Sequence, residues 1–203
     1  MRFVVLFHLI LYIYICGKDF RNMQIKAEQI HITAEQIRKI APRAKDAEAL
    51  AANIKQWAPI FGITTPMRMV HFLAQCAHET AGFTLMTEVA SGKAYEFNKV
   101  LGNVYKGDGP RFKGRGLMQL TGRANYTAYA KSRFCVGDLL GHPEWLAKQP
   151  GATKSAMWYW WSRGLNELAD KDDLLQITRK INGGYNGLEN RRFYLTKIKS
   201  ILL

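Results

Sequence analysis

The sequence predicts a mainly α-helical fold: helices gathered around a substrate cleft, with a small irregular or β lobe on one side. Three observations predict it. Apolar residues recur at helical spacing over most of the chain. Capping residues stand where those runs begin, at Thr33 and at Thr65 before Pro66. Residues 83–114 carry little helical signal and much glycine, so they read as loops with at most a short hairpin.

The elements follow in order. Thr33-Ala34-Glu35-Gln36 is a capping box, and Ile37 and Ile40 are the apolar positions of the helix it opens. Residues 44–61 place Ala47, Leu50, Ala51, Ile54 and Trp57 on one helical face. Pro66 at a first turn begins a helix that should run over residues 66–81 and end near Gly82. Gly107-Asp108-Gly109-Pro110 reads as a turn. Residues 122–132 are predicted helical, residues 139–144 a loop, and Pro143 the opening of a short turn. Residues 150–161 read as a buried helix carrying Met157, Trp158, Tyr159, Trp160 and Trp161. At helical spacing this aromatic cluster is read as core rather than as a platform for ligands. Residues 174–181 form a helix ending at Gly183-Gly184. Residues 188–203 read as a basic amphipathic helix whose Arg191, Arg192, Lys197 and Lys199 form a solvated face.

Composition narrows the function classes. With 203 residues and 48% hydrophobic content, the chain fits one domain with a real core. Its formal charge of +13 points to polyanionic partners such as anionic cell-envelope polymers. Nucleic acid is set aside, because no basic run interleaves with aromatics. Cys16, Cys76 and Cys135 are odd in number and lack metal-ligand spacing, so neither a disulfide framework nor a metal site is expected. Cys76 reads as a small buried hydrophobe. No phosphate-cradling loop is present, no cofactor is expected, and a monomer is.

The chemistry-bearing feature is a pair of carboxylates, Glu79 and Glu88, followed by the polar stretch Gly114 to Tyr126. On one unbroken helix, nine residues rise about 13.5 Å and turn through about 900°, so the two side chains would point apart. A break at Gly82 lets the chain fold back and present Glu88 across a cleft from Glu79. A carboxyl separation of roughly 6.5–9.5 Å leaves room for a water and implies inversion at the anomeric carbon. Glu79 ends the apolar run from Phe72 to Ala77, where partial desolvation suits a general acid. Glu88, in the more polar segment, is then the base.

These residues resemble glycoside hydrolase family 19, which includes plant and bacterial chitinases and many phage endolysins. His78-Glu79-Thr80-Ala81-Gly82 is similar to the family's acid motif, with Ala81 where many members have Gly. Gly114-Arg115-Gly116-Leu117-Met118-Gln119-Leu120-Thr121 is similar to its Gly-Arg-Gly-Pro-Ile-Gln-Leu-Ser segment. Asn125-Tyr126 and Ile181-Asn182-Gly183-Gly184 match two further motifs in the same order. The resemblance implies a lysozyme-like α+β architecture and an inverting glycosidase with Glu79 as acid, Glu88 as base and Thr121 holding the attacking water. It implies substrate contacts from Gln119, Asn125, Tyr126, Asn182 and Arg191, the last also shaping the electrostatics. Residues 90–96 and 101–103 resemble the phage and prophage endolysin branch, which implies peptidoglycan as substrate; chitin is the alternative. A dead sugar-binding protein and a cationic membrane disruptor acting through the last helix are the readings from other classes.

Residues 1–16 place one Arg before about a dozen apolar residues. Three readings stand: a secretion or tether segment, an anchor released later, or an over-extended gene start. Met23 is favoured as the natural start, which makes residues 1–22 an extension and 23–203 one catalytic domain. A phage-derived chain would then act in the periplasm or cell wall after release from the host cytoplasm. A genuine apolar leader would make it membrane-tethered or secreted.

Overall fold

The computed structural model describes residues 32–203. The extension at 1–22, the Met23 start and Cys16 lie outside the described residues. Helix α1 (Ala34–Ile40) opens as expected: Thr33 accepts from the Gln36 N–H while Gln36 accepts from the Thr33 N–H. Helix α2 (Ala47–Trp57) buries Ala47, Leu50, Ala51 and Ile54, the face its spacing predicts. It starts three residues later than the periodicity does, because Asp46 holds a left-handed φ of 49°. It passes into a 3-10 turn, Ala58–Phe61, closed by Gly62 at φ 69°.

Helix α3 (Pro66–Glu79) is the central rod. Thr65 accepts from the Arg68 N–H, and every residue from Met69 to Ala77 is buried. A helix buried on every face is one that neighbours surround. Its principal neighbour is the last helix, α9 (Leu188–Leu202), which lies along it more extensively than any other pair of elements meets. Here the structure corrects the sequence. Arg191 is not on a solvated face; with Leu195 and Ile198 it forms the buried stripe of α9. A membrane-active face needing Arg191 is therefore not what α9 presents. Among the described residues, no helix is long and apolar enough to cross a membrane.

Helix α6 (Gly151–Ser162) carries the aromatic core. Trp160 meets Phe72 edge-on at 5.6 Å and donates its indole N–H to Asn166, whose amide donates to the Phe61 carbonyl. Trp161 departs from the prediction: it is 49% exposed, on the outer side of the same helix. Pro143 opens a 3-10 turn, Pro143–Ala147. Short α7 (Asn166–Ala169) leads to α8 (Leu174–Asn182), capped by Asp173 and ended by Gly183 at φ 74°.

The lobe between α3 and α5 (Arg123–Ala130) contains no hairpin among the described residues, only isolated bridges pairing Thr87 with Arg115 and Arg115 with Leu120. Two 3-10 turns, Lys93–Tyr95 and Lys99–Leu101, and a one-turn helix α4 (Asp108–Arg111) make up the rest. The predicted turn at 107–110 is the first turn of α4, because Asp108 ties it down. That buried carboxylate accepts from the Val104 and Tyr105 N–H groups and, through both oxygens, from Nε and Nη2 of Arg123. Arg123, its first cause, holds the Asp108 carboxyl at a pKa of about 2. Asn103 and Glu96 act similarly, the first bridging the Tyr95 carbonyl to the Arg123 N–H, the second accepting from Gly107 and Gly109. Polar pins thus do here what strands do elsewhere.

Candidate active site

Glu79 is the last residue of α3. The chain reverses at once. Thr80 is buried, donates its hydroxyl to the Cys76 carbonyl and accepts from the Phe83 N–H. Ala81, Gly82 and Phe83 all take positive φ, from 48° to 71°. Gly82 is needed there for space as well as for its φ, since a Cβ would stand 3.2 Å from the Tyr194 hydroxyl and 3.3 Å from Ala41. This turn is the predicted break after Glu79.

The Glu79 side chain is 19% exposed and accepts at 2.6 Å from Arg191, whose other arm donates to the Gln75 carboxamide. Arg191 and Gln75 are buried. The carboxyl is therefore not simply lodged in an apolar pocket, as the preceding run implied; a buried guanidinium stands behind it. That position also corrects Arg191 as a substrate contact, because it is walled in between α3 and α9 and touches Glu79 rather than the surface. His78 bonds Asn190 of α9 at 2.8 Å, and Gly187 leaves the room its ring occupies. Beneath them the Cys76 thiol is buried, and burial pushes its pKa well up, in keeping with an inert small hydrophobe.

Glu88 is held by neutral donors. Tyr95 donates its hydroxyl to one carboxylate oxygen at 2.7 Å, and the Gly114 N–H donates to the other at 3.1 Å. The bond to Glu88 raises the Tyr95 pKa to about 12, so the phenol remains a donor through neutral and mildly alkaline pH. The Glu88 backbone pairs with the Gly114 carbonyl, and Lys113 donates to the carbonyls of Glu88 and Ala90. Gly114 is the hub. A Cβ there would lie 2.9 Å from Gln119 Oε1 and 3.3 Å from both Glu88 Oε2 and Thr121 Oγ1. Carboxylate, hydroxyl and amide oxygen converge on one spot because that residue has no side chain.

The other expected site residues divide. Thr121 donates its hydroxyl proton to the Gln119 carbonyl at 2.8 Å, which leaves its oxygen as an acceptor. Gln119, at φ 47°, spends its amide N–H groups on the carbonyls of Leu85 and Gly116. It ties the Gly114–Thr121 segment to the stretch that follows the turn after Glu79. Asn125 donates to the Thr121 carbonyl and accepts from Arg163, so both ends of its amide are engaged within the protein. Tyr126 is a correction: it is fully buried against Phe112, its hydroxyl bonded to Arg115 and the Lys113 carbonyl. Burial raises its pKa to about 12. It props the Gly114 loop and cannot meet a ligand. Asn182 is exposed at the end of α8 and, among the described residues, its side chain reaches only the Asn186 carbonyl, at 3.4 Å.

Tyr95, Gln75 and Arg163 were not singled out by sequence reasoning. Arg163 follows α6, stacks over the Tyr159 ring at 3.5 Å and bonds Asn125. A cavity of about 490 Å³ lined by Lys106, Asp108, Arg111 and Arg123 contains neither glutamate. Its arginines are committed to Asp108 and to the Leu140 and Gly141 carbonyls. Among the described residues, no group of three His, Cys, Asp or Glu side chains is placed to hold a metal.

A helical body with one carboxyl at a helix end and a second on an irregular lobe fits a class, the lysozyme-like glycoside hydrolases. Relatives make the class particular. A "Glycosyl hydrolase family 19 domain-containing protein" of Haemophilus influenzae is 30% identical over 186 residues, covering 75% of this chain and 88% of the relative. An endochitinase of Arabidopsis thaliana is 31% identical over 144 residues, or 68% of this chain and 46% of the relative, so the chain matches under half of that protein. The fold matches the crystal structure of chitinase C from Streptomyces griseus with a TM-score of 0.67 at 22% identity, over 84% of this chain and 92% of that one. No protein-family model matches the chain. The chain belongs to glycosyl hydrolase family 19 and is a glycosidase.

Proposed function

We propose that the protein hydrolyses the β-1,4 bonds of peptidoglycan by an inverting mechanism, with Glu79 as general acid and Glu88 as general base. The observation that carries this reading is the convergence of Glu88, Thr121 and Gln119 on the bare Cα of Gly114. A water there can give one hydrogen to Glu88 and the other to the Thr121 oxygen, whose own proton is engaged with Gln119. Its lone pair is then free to attack the anomeric carbon. As the new C–O bond forms, the glycosidic C–O bond breaks, Glu79 protonates the departing oxygen, and Glu88 keeps the proton of the water. Asn182, exposed at the end of α8, is the candidate for a direct substrate contact.

Peptidoglycan is favoured by the formal charge of +13, since that polymer carries carboxylates and chitin is neutral. The names of the relatives favour the second reading, chitin. The test is clearing of purified peptidoglycan and of colloidal chitin by the full chain beside Glu79→Gln, with mass analysis of the products. Wild-type clearing of peptidoglycan that yields reducing, non-anhydro muropeptides supports the first reading. Release of chitooligosaccharides without clearing supports the second. Equal clearing by both proteins would remove Glu79 from the mechanism, since general acid–base help is typically about 10²–10⁴-fold.

A further inference from the structure

We infer that Arg163 is the residue that selects a carboxylate-bearing glycan, reading either the lactyl group of a muramic sugar or the stem peptide attached to it. The inference rests on the peptidoglycan reading and goes beyond it by naming the group that recognises the substrate's charge. Arg163 is placed where it can do this. Its guanidinium donates to Asn125, which donates to the carbonyl of Thr121, so it continues the wall that holds Thr121 beside Glu88. On its other side its guanidinium carbon lies 3.5 Å from the centre of the Tyr159 ring. Arg163 therefore joins the Thr121 wall, on the Glu88 side of the site, to the Tyr159 ring of α6.

Its charge is also uncommitted. Arg68, Arg123 and Arg191 each have a carboxylate partner at 2.6 Å. Arg163 has none among the described residues; its protein contacts are the Asn125 amide oxygen and a long 3.5 Å approach to the Ser162 hydroxyl. Among the described residues the remaining guanidinium donors have no acceptor, and the residue is half-buried, so a ligand carboxylate there would meet it with reduced screening. The Tyr159 ring lies against the guanidinium, and Lys180 donates to the Arg163 carbonyl at 3.1 Å, bringing a second cation. A neutral N-acetylglucosamine polymer offers such a site nothing that a neutral donor would not supply. A muramic sugar offers an anion.

The test uses the full chain carrying Glu79→Gln, so that binding is read without turnover. Three saccharides of equal length are titrated by calorimetry: an N-acetylglucosamine oligomer, a muramic-acid-containing oligomer with free lactyl groups, and the same oligomer bearing stem peptides. The expected result is tighter binding of a charged oligomer than of the neutral one. Adding Arg163→Gln should then weaken that charged ligand about tenfold more than the neutral one, with Arg163→Lys recovering part of the loss. The charged arm that responds identifies the lactyl or the peptide carboxylate. Equal losses on all three ligands, or no preference for charge before the substitution, would overturn the assignment. Wild-type failure to clear peptidoglycan would instead sink the substrate reading, and the binding ratios would still decide the role of Arg163.

Discussion

Replacing Arg191 by Met should destabilise the packing of α9 on α3 whether or not a ligand is bound. Arg191 is 1% exposed and joins α9 to α3 through Glu79 and Gln75. Met keeps the length of the aliphatic stem and removes the charge. Glu79 is then left without the one ion-pair partner it has among the described residues, and with 19% of its side chain exposed. Breaking a buried pair costs about 3–5 kcal/mol, and partial access to water places Glu79 near the lower end. Gln75, fully buried, also loses the donor to its carbonyl, about another 1 kcal/mol. The sum is about 4 kcal/mol, which for a chain of this size lowers Tm by about 8–16 °C. Urea unfolding followed by tryptophan fluorescence reads it directly. The discriminating variant is the double one, Arg191→Met with Glu79→Gln, in which the orphaned charge is gone. It should be more stable than Arg191→Met alone by about 1–3 kcal/mol. A single variant within about 1 kcal/mol of wild type, or a double variant no better than the single, would refute this account of the ion pair.

Three further outcomes follow from the lobe. Tyr95→Phe removes a hydrogen bond to a charged carboxylate, so kcat should fall about 10–100-fold with little change in Tm. Gly114→Ala introduces a Cβ at 2.9 Å from Gln119 Oε1 and 3.3 Å from Glu88 and Thr121; steady-state kinetics should show at least about a tenfold loss of kcat in a protein that still folds. Asp108 has a folded pKa of about 2 against an ordinary value of 3.8, so its contribution is fully present above pH 4. It is lost as pH falls from about 4 towards 2, and amounts to about 1–2 kcal/mol once the partly exposed Arg123 is allowed for. Asp108→Asn should flatten the stability-versus-pH curve in that window; an unchanged slope would remove Asp108 as the cause.

The helical body was legible because its signals are local. The Thr33 capping box, the Thr65-Pro66 start and the apolar spacing of α2 act within four residues of themselves, and each appears where expected. The lobe was not legible, because nothing local shapes it. Asp108 is tied to Arg123 fifteen residues on, and Asn103 to Tyr95 eight residues back. A string that is neither helical nor alternating says only that other forces must act. Tyr126 was misread for a related reason. It adjoins Asn125 in a motif, but adjacent helical residues point about 100° apart. Asn125 lies along the Thr121 wall while Tyr126 turns into the core. Arg191 could not be read at all from its own helix, since only the packing of α9 on α3 turns that face inward.

The two glutamates are supported in different ways, and the difference organises the molecule. Glu79 is held by a full charge that arrives from the opposite end of the chain, 112 positions away. Its setting exists only once α9 has docked on α3. Glu88 is held by a phenol and a backbone amide from its own lobe, 7 and 26 positions away. Its setting is the Gly114 loop, propped from the core by Tyr126, and the turn at Lys93–Tyr95. Substitutions in α9 should therefore move stability and activity together, because the acid's support is also a support of the core. Substitutions at Tyr95 and Gly114 should move activity alone. If Gly114→Ala lowered Tm as far as Arg191→Met does, the lobe would be part of the core, and this separation of the two carboxylates would not hold.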